Sequence, residues 1–173
     1  MSTQFRGFYR YRHPLQRKWH HTRVLRVQTI NGKRYVLVVV DDYSRFTWVK
    51  FLRTKDETPD VIIKLIKQLQ VRLNNTVRIV RTDNGTEFVN RELSQFYESI
   101  GISHQRSVPR TPQQNGVVER RNRTLVEAAR TMLIYSKIPM FLWAEAIATT
   151  CYTQNRSLIH TSHGKTPYEL VHK

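Results

Sequence analysis

The first acidic residue of this 173-residue chain is Asp41; no Asp or Glu stands anywhere before it. The first thirty residues meanwhile hold seven basic groups, Arg6, Arg10, Arg12, Arg17, Lys18, Arg23 and Arg26. Cysteine is nearly absent too. Cys151 stands alone, which excludes an internal disulfide and fits a reducing compartment. No apolar run approaches the roughly 18 residues of a membrane-spanning helix. Charges also interrupt every short apolar run near the N-terminus, so no secretory signal is legible there. The expected location is nuclear or cytoplasmic.

Basic residues are plentiful: 29 Lys and Arg against 13 Asp and Glu give a net charge of +16. Setting aside the first thirty residues leaves 22 basic groups against 13 acidic, still a marked excess. Such a chain is expected to meet a polyanion. Residues 1–22 show no clean period, and Pro14 breaks any helix. They are expected to be a basic, poorly ordered or divergent segment ahead of a core domain over 23–173.

The core reads as alternating strands and helices. Val24, Leu25, Val27 and Ile30 suggest a first strand running into Asn31-Gly32, a hairpin signal whose central positions need positive φ. Tyr35 to Val40 is nearly continuous in apolar, β-branched residues and should be buried on both faces. A third strand follows from Phe46 to Leu52. Thr54 and Glu57 have capping-box spacing before a helix striped by Val61, Ile62, Leu65, Ile66, Leu69 and Leu73. A strand over Val77 to Thr82, a helix near Asn90 to Ser99 and a strand over Ile102 to Val108 come next. The Pro- and Gln-rich stretch Pro109 to Gly116 is expected to be mobile. Helices from Val117 to about Ser136 and from Pro139 through Tyr152, then a last turn at Pro167 to Val171, complete an α/β order.

Two stretches carry chemistry. One is Thr82-Asp83-Asn84-Gly85-Thr86-Glu87-Phe88, where a strand gives way to a glycine turn. The other is Pro109 to Thr124, PRTPQQNGVVERRNRT, which leads into the longest helix and contains Glu119. Two carboxylates brought together from separate elements are what hard divalent cations require. The alternative for Asp83 is to cap its own turn, as Asp-Asn-Gly does elsewhere. Glu87 reads as a surface residue. Glu119 and Arg123, four apart, project from one helical face flanked by Arg120, Asn122 and Arg130.

These stretches resemble the catalytic core of copia-type retrotransposon integrases, the integrase part of a retrovirus-related Pol polyprotein. VLVVVDDYSRFTWVKFL, MFLWAEAIATTCYTQNRS and KTPYEL extend the likeness over roughly Asn31 to Lys173. The resemblance implies a ribonuclease-H-like fold, a five-stranded mixed sheet flanked by helices. It implies DNA integration through phosphodiester cleavage and strand transfer, with Mg2+ or Mn2+ held by an Asp, Asp, Glu triad. Asp83 matches the second member and Glu119 the third. Asn115 and Arg110 on the loop, with Arg120, Arg121, Asn122 and Arg123 on the helix, are the expected DNA contacts. Other integrase domains or a second copy are the expected protein partners.

The first triad Asp has no counterpart. Its place falls at or near His20, and imidazole substitutes poorly for a carboxylate bridging two hard cations. Asp41 and Asp42 are weak substitutes. The chain is therefore expected to be a degraded copy with weak metal binding and no catalysis; the alternative is a non-catalytic basic module that binds nucleic acid. Cys151, His160 and His163 could suggest zinc, but a fourth ligand is missing.

Overall fold

The computed structural model describes residues 27–83, 85–106 and 116–172, together with the main chain of residues 15–23. Most of the segment 1–22, the Pro109 to Asn115 loop with Arg110 and Asn115, and Asn84 lie outside the described residues.

Among the described residues the strands form one five-stranded mixed sheet, in the order β3-β2-β1-β4-β5. Its members are β1 Leu15–Arg23, β2 Tyr35–Asp41, β3 Thr47–Leu52, β4 Val77–Thr82 and β5 Ser103–Arg106. β1 and β2 run antiparallel, as do β2 and β3. β1 is parallel to β4, and β4 to β5. The helices are α1 Thr58–Leu73, α2 Arg91–Ser99, α3 Gly116–Tyr135, α4 Trp143–Ser157 and α5 Pro167–Val171.

β2 shows why both faces of the sheet are covered. Its residues Val36 to Val40 are at most 1% exposed. Leu37 and Val39 enter a cluster with Ile62, Leu65, Ile66 and Leu69 of α1 and Leu93 and Tyr97 of α2. Val36, Val38 and Val40 enter the opposite cluster, with Val118, Leu125, Ala129 and Leu133 of α3 and Trp143 and Ile147 of α4. Alternation along one strand thus divides the core into two layers, as a run apolar on both faces requires.

Three local expectations are corrected. The expected first strand from Val24 to Ile30 does not form over its described residues: β1 spans Leu15–Arg23, Val27 to Arg34 form no strand, and Val24 to Arg26 lie outside the described residues. The Asn31-Gly32 signal makes no turn with two positive φ angles. Gly32 alone takes one, at 72°, and its N–H donates to the Thr29 carbonyl at 2.9 Å. The Thr29 hydroxyl accepts from Lys33 N–H at 3.0 Å, so a side chain closes this turn. Finally, Thr54 makes no side-chain cap. A single 3-10 turn, Lys55–Glu57, intervenes; α1 begins at Thr58 with Pro59 in its first turn, and the Glu57 carboxylate accepts from Arg53 N–H at 3.1 Å. The capping box forms instead at Thr166 and Glu169, ahead of α5.

Candidate active site

The sheet register sets the frame. Across the β1–β4 ladder Trp19 pairs with Thr82, so the next main-chain positions are His20 on β1 and Asp83 just past β4. On its other side His20 pairs with Val38. Parallel pairing of β1, β4 and β5 brings their C-terminal ends to the same edge of the sheet, the edge favoured for sites in α/β folds.

Asp83 is half-buried, and its Oδ1 accepts from Gly85 N–H at 3.0 Å. The Asp-Gly turn chemistry is therefore real. Gly85 has an ordinary φ of −59°, so it is not there for backbone freedom. Space is the reason: a Cβ would sit 2.7 Å from Glu87 Oε2 and 3.0 Å from Asp83 Oδ1.

Glu87 is accordingly no surface residue. Its side chain is 8% exposed, and Lys55 Nζ meets Oε1 at 2.8 Å. That bond, more than any other influence, raises the Lys55 pKa, and Asp83 adds a weaker pull. Nothing local in the sequence announces the pair, because thirty-one residues lie between its members. Behind Asp83, the Thr82 hydroxyl and His104 Nε2 on β5 are 2.9 Å apart. Burial, followed by Arg106, holds His104 below the usual imidazole range.

Glu119 lies in the first turn of α3 and is exposed, as are Arg120, Arg123 and Arg130. Its neighbour Val118, fully buried with Val36, Val38 and Val40, anchors that turn over β2. The inward stripe runs Val118, Asn122, Leu125, Ala129, Leu133. Asn122, expected on the DNA-facing side, is 8% exposed and belongs to that stripe. Arg121 is also drawn inward: its Nε donates to Thr47 Oγ1 at 2.9 Å, and burial lowers its pKa.

Asp41 and Asp42 are engaged elsewhere. Asp41 is fully buried, and its Oδ2 accepts from Ser44 N–H at 3.0 Å and Ser44 Oγ at 2.6 Å. Asp42 pairs with Arg45 at 2.8 Å and with Arg81 at 3.4 Å. Asp41, Arg17 and Val80 lie in one row across the sheet. Asp83 is three residues beyond Val80, about 10 Å further along the strand direction.

The zinc trio is not assembled. Cys151 is buried on α4, its Sγ donating to the Thr47 carbonyl at 3.2 Å, while His160 and His163 stack on each other at 4.8 Å. Among the described residues no group of three or more His, Cys, Asp or Glu is placed to hold a metal ion. Nor is any helix there long and apolar enough to cross a membrane.

A family profile described as an integrase core domain matches residues 16–112, which is more than half of the chain. The chain belongs to the integrase core family. It is 41% identical over 133 residues to a retrovirus-related Pol polyprotein from transposon TNT 1-94 of Nicotiana tabacum, covering 77% of this chain and 10% of that protein. A corresponding polyprotein from transposon RE1 of Arabidopsis thaliana is 36% identical, with 71% and 8% covered. The chain thus spans about a tenth of the length of these relatives. Among solved structures, the HTLV-2 integrase catalytic core in complex with magnesium superposes with a TM-score of 0.67 at 23% identity, covering 91% of this chain and 95% of that one. A simian T-cell lymphotropic virus intasome in complex with a PP2A regulatory subunit gives 0.71 at 23% identity, covering 91% and 54%. The ribonuclease-H-like fold expected from the motifs is therefore the fold of this integrase core. The family match also begins at residue 16, ahead of the boundary expected at residue 23.

Proposed function

We propose that this integrase core engages element DNA through a basic surface beside Asp83 and Glu119, and that it lacks the carboxylate cage needed for strand transfer. The observation that carries this reading is the register of β1. The main-chain position next to the Trp19–Thr82 pair, alongside Asp83, belongs to His20.

The donor chemistry fits one hard divalent cation held by two carboxylates, with water completing its shell, and does not fit a bridged pair. Asp83 and Glu119 would hold Mg2+ or Mn2+, which when bound supplies Lewis-acid polarisation of the scissile phosphate. Asp41 and Asp42 are poor replacements for the first Asp, given their partners and their place in the sheet. Arg120 and Arg123, exposed on the same turns of α3 as Glu119, would neutralise flanking phosphates. Arg110 and Asn115 are further proposed DNA contacts. A magnesium-bound trimeric form and an intasome among the solved neighbours support a second copy or further integrase domains as partners. Action inside the cell, in nucleus or cytoplasm, follows from a DNA target.

A DNA-binding titration at several salt concentrations, run beside a strand-transfer assay with Mg2+ and Mn2+, tests the proposal. Salt-sensitive binding without joining is the expected result. Metal-dependent joining that disappears in Glu119→Gln would refute the inactive reading. The runner-up, a basic module with no cation site, predicts equal binding with and without metal and no effect of Asp83→Asn.

A further inference from the structure

We propose that the ends of α4 and α5 carry a second nucleic-acid contact, a row of arginine and aromatic rings that takes an unpaired strand, with phosphate on Arg156 and a base on Tyr152. The inference goes beyond the proposed function, since it needs neither Asp83 nor a cation.

The row is built on Arg156, in the last turn of α4. Its guanidinium carbon lies over the Tyr152 ring at 3.6 Å and over the Tyr168 ring of α5 at 4.1 Å. Ring contacts continue from Tyr168 to His172 at 4.5 Å, from His172 to Phe46 at 5.7 Å and from Phe46 to Trp48 at 4.5 Å. Trp48 belongs to β3, the outermost strand, three strand spacings or roughly 14 Å from β4. This end of the row therefore stands well away from the turn that follows β4. Asn155, the residue before Arg156, is fixed by its two hydrogen bonds to the Thr47 main chain, so the arginine projects from an anchored turn.

Stacking occupies a guanidinium through its face and leaves the N–H groups along its edge, the groups that grip a phosphate. One of them, on Nη1, makes only a long 3.4 Å bond to the Tyr152 carbonyl. Among the described residues Arg156 forms no ion pair. No Asp or Glu stands between Glu145 and Glu169 in the sequence. Glu169 itself is turned back on Thr166, accepting from its N–H at 2.8 Å and its hydroxyl at 3.0 Å. The surface is left positive and complementary to a polyanion. A brace for α5 alone would bury its outer ring, yet Tyr152 is 61% exposed. An open tyrosine beside such an arginine suits single-stranded nucleic acid, where each nucleotide offers a phosphate and a free base face. A duplex keeps its bases stacked on one another, and a run of glutamates has the charge without the ring.

Fluorescence anisotropy of a labelled oligothymidylate, about twelve nucleotides long, measures binding to the full chain. An abasic strand of equal length and charge should bind the unaltered chain about tenfold more weakly, the loss expected for one stacked base. That comparison needs no substitution. Tyr152→Leu should weaken the oligothymidylate by about the same factor, leaving the abasic strand, a blunt duplex and the urea midpoint nearly unchanged. Tyr152→Phe, which keeps the ring, should bind like the unaltered chain. Arg156→Lys should weaken both single strands, because lysine keeps the charge and loses the fork. The difference between the two strands should persist in Arg120→Ala with Arg123→Ala; its loss there would place the stacked base on α3 instead and overturn the proposal. Equal binding of oligothymidylate and abasic strand, an unchanged affinity in Tyr152→Leu, or a loss shared by the duplex also overturns it. So does displacement of the oligothymidylate by polyglutamate of equal charge as readily as by unlabelled oligothymidylate, which would assign the row to acidic peptides.

Discussion

Arg121 reaches across from α3 to β3, its Nε donating to the hydroxyl of Thr47 at 2.9 Å. Thr47 is also gripped by α4. Asn155 accepts from its N–H at 3.0 Å and donates to its carbonyl at 2.8 Å. Arg121 therefore fixes the rotation of α3, two residues from both Glu119 and Arg123, whereas Arg120 and Arg123 point outward. Arg120→Ala and Arg123→Ala should each lower the slope of log K against log salt by about one phosphate contact. Arg121→Ala should instead leave that slope unchanged and destabilise the fold by about 1–3 kcal/mol. Salt titrations of the three variants beside urea denaturation check this. A slope reduced in Arg121→Ala to match the other two would return it to the DNA-contact set.

Asn155→Ala should be more damaging than most surface changes. It strips two hydrogen bonds from the buried main chain of Thr47, and Cys151 can cover only the carbonyl. A loss of about 2–4 kcal/mol is expected, from two buried groups deprived of partners. Equilibrium unfolding measures it, and a loss below 1 kcal/mol would show that water readily replaces the side chain.

His20→Asp is the smallest repair of the proposed cage. It should raise Mg2+ affinity more than it raises strand transfer, because Arg17, Lys18 and Arg23 still leave the β1 segment strongly basic in sequence. Replacing the whole β1 segment by one carrying the family's acidic residue should restore more joining than the point change. Equal turnover from both would show that charge on β1 is immaterial.

Cys151 should be inert while the chain is folded. Burial pushes its thiol up to about 11, so almost none is thiolate at neutral pH. A thiol reagent at pH 7.5 should label it only in denaturant. Fast labelling of the native chain would mean that α4 opens readily from β3.

Acid should weaken the fold in a defined window. His104, His160 and His172 are all held below the usual imidazole range, with burial the first cause in each case. Arg106 adds to it at His104, His163 and Arg45 at His160, Arg156 and Arg72 at His172. The folded chain disfavours their protonation, so the unfolded chain binds more protons as pH falls below about 6.5. Their contribution is complete above that value and is lost on descending from it toward the lowered folded values. The urea midpoint should drop between pH 7.5 and 5.5, and His104→Gln should reduce the drop. A midpoint that rises on acidification contradicts the assignment.

Where apolar spacing is strong, sequence and structure agree. The two-faced valine run of β2 and the stripe of α1 are examples, because burial leaves such patterns only one arrangement. β1 was not legible for the opposite reason. Leu15 to Arg23 is mostly polar and basic, and its strand state comes from pairing on both sides with β2 and β4. Asn122 was misplaced because a polar residue interrupts an apolar stripe that nevertheless continues through it. Glu87 was misread because its partner Lys55 comes from another turn and only the fold joins them.

The position of β1 has a consequence for how the chain comes together during synthesis. Among the described strands it is made first, yet it must lie between β2 and β4. The hairpin with β2 can form early, but the parallel ladder with β4 must wait until about forty residues beyond β2 have left the ribosome, and such distant pairing is slow to close. Until then β1 presents one open edge, a receptive groove for any extended segment of matching register. A chain lacking residues 15–23 is left with a β2–β3 hairpin and a β4–β5 pair that no longer share a strand. A synthetic peptide of that stretch, supplied in trans, is the natural means of rejoining them.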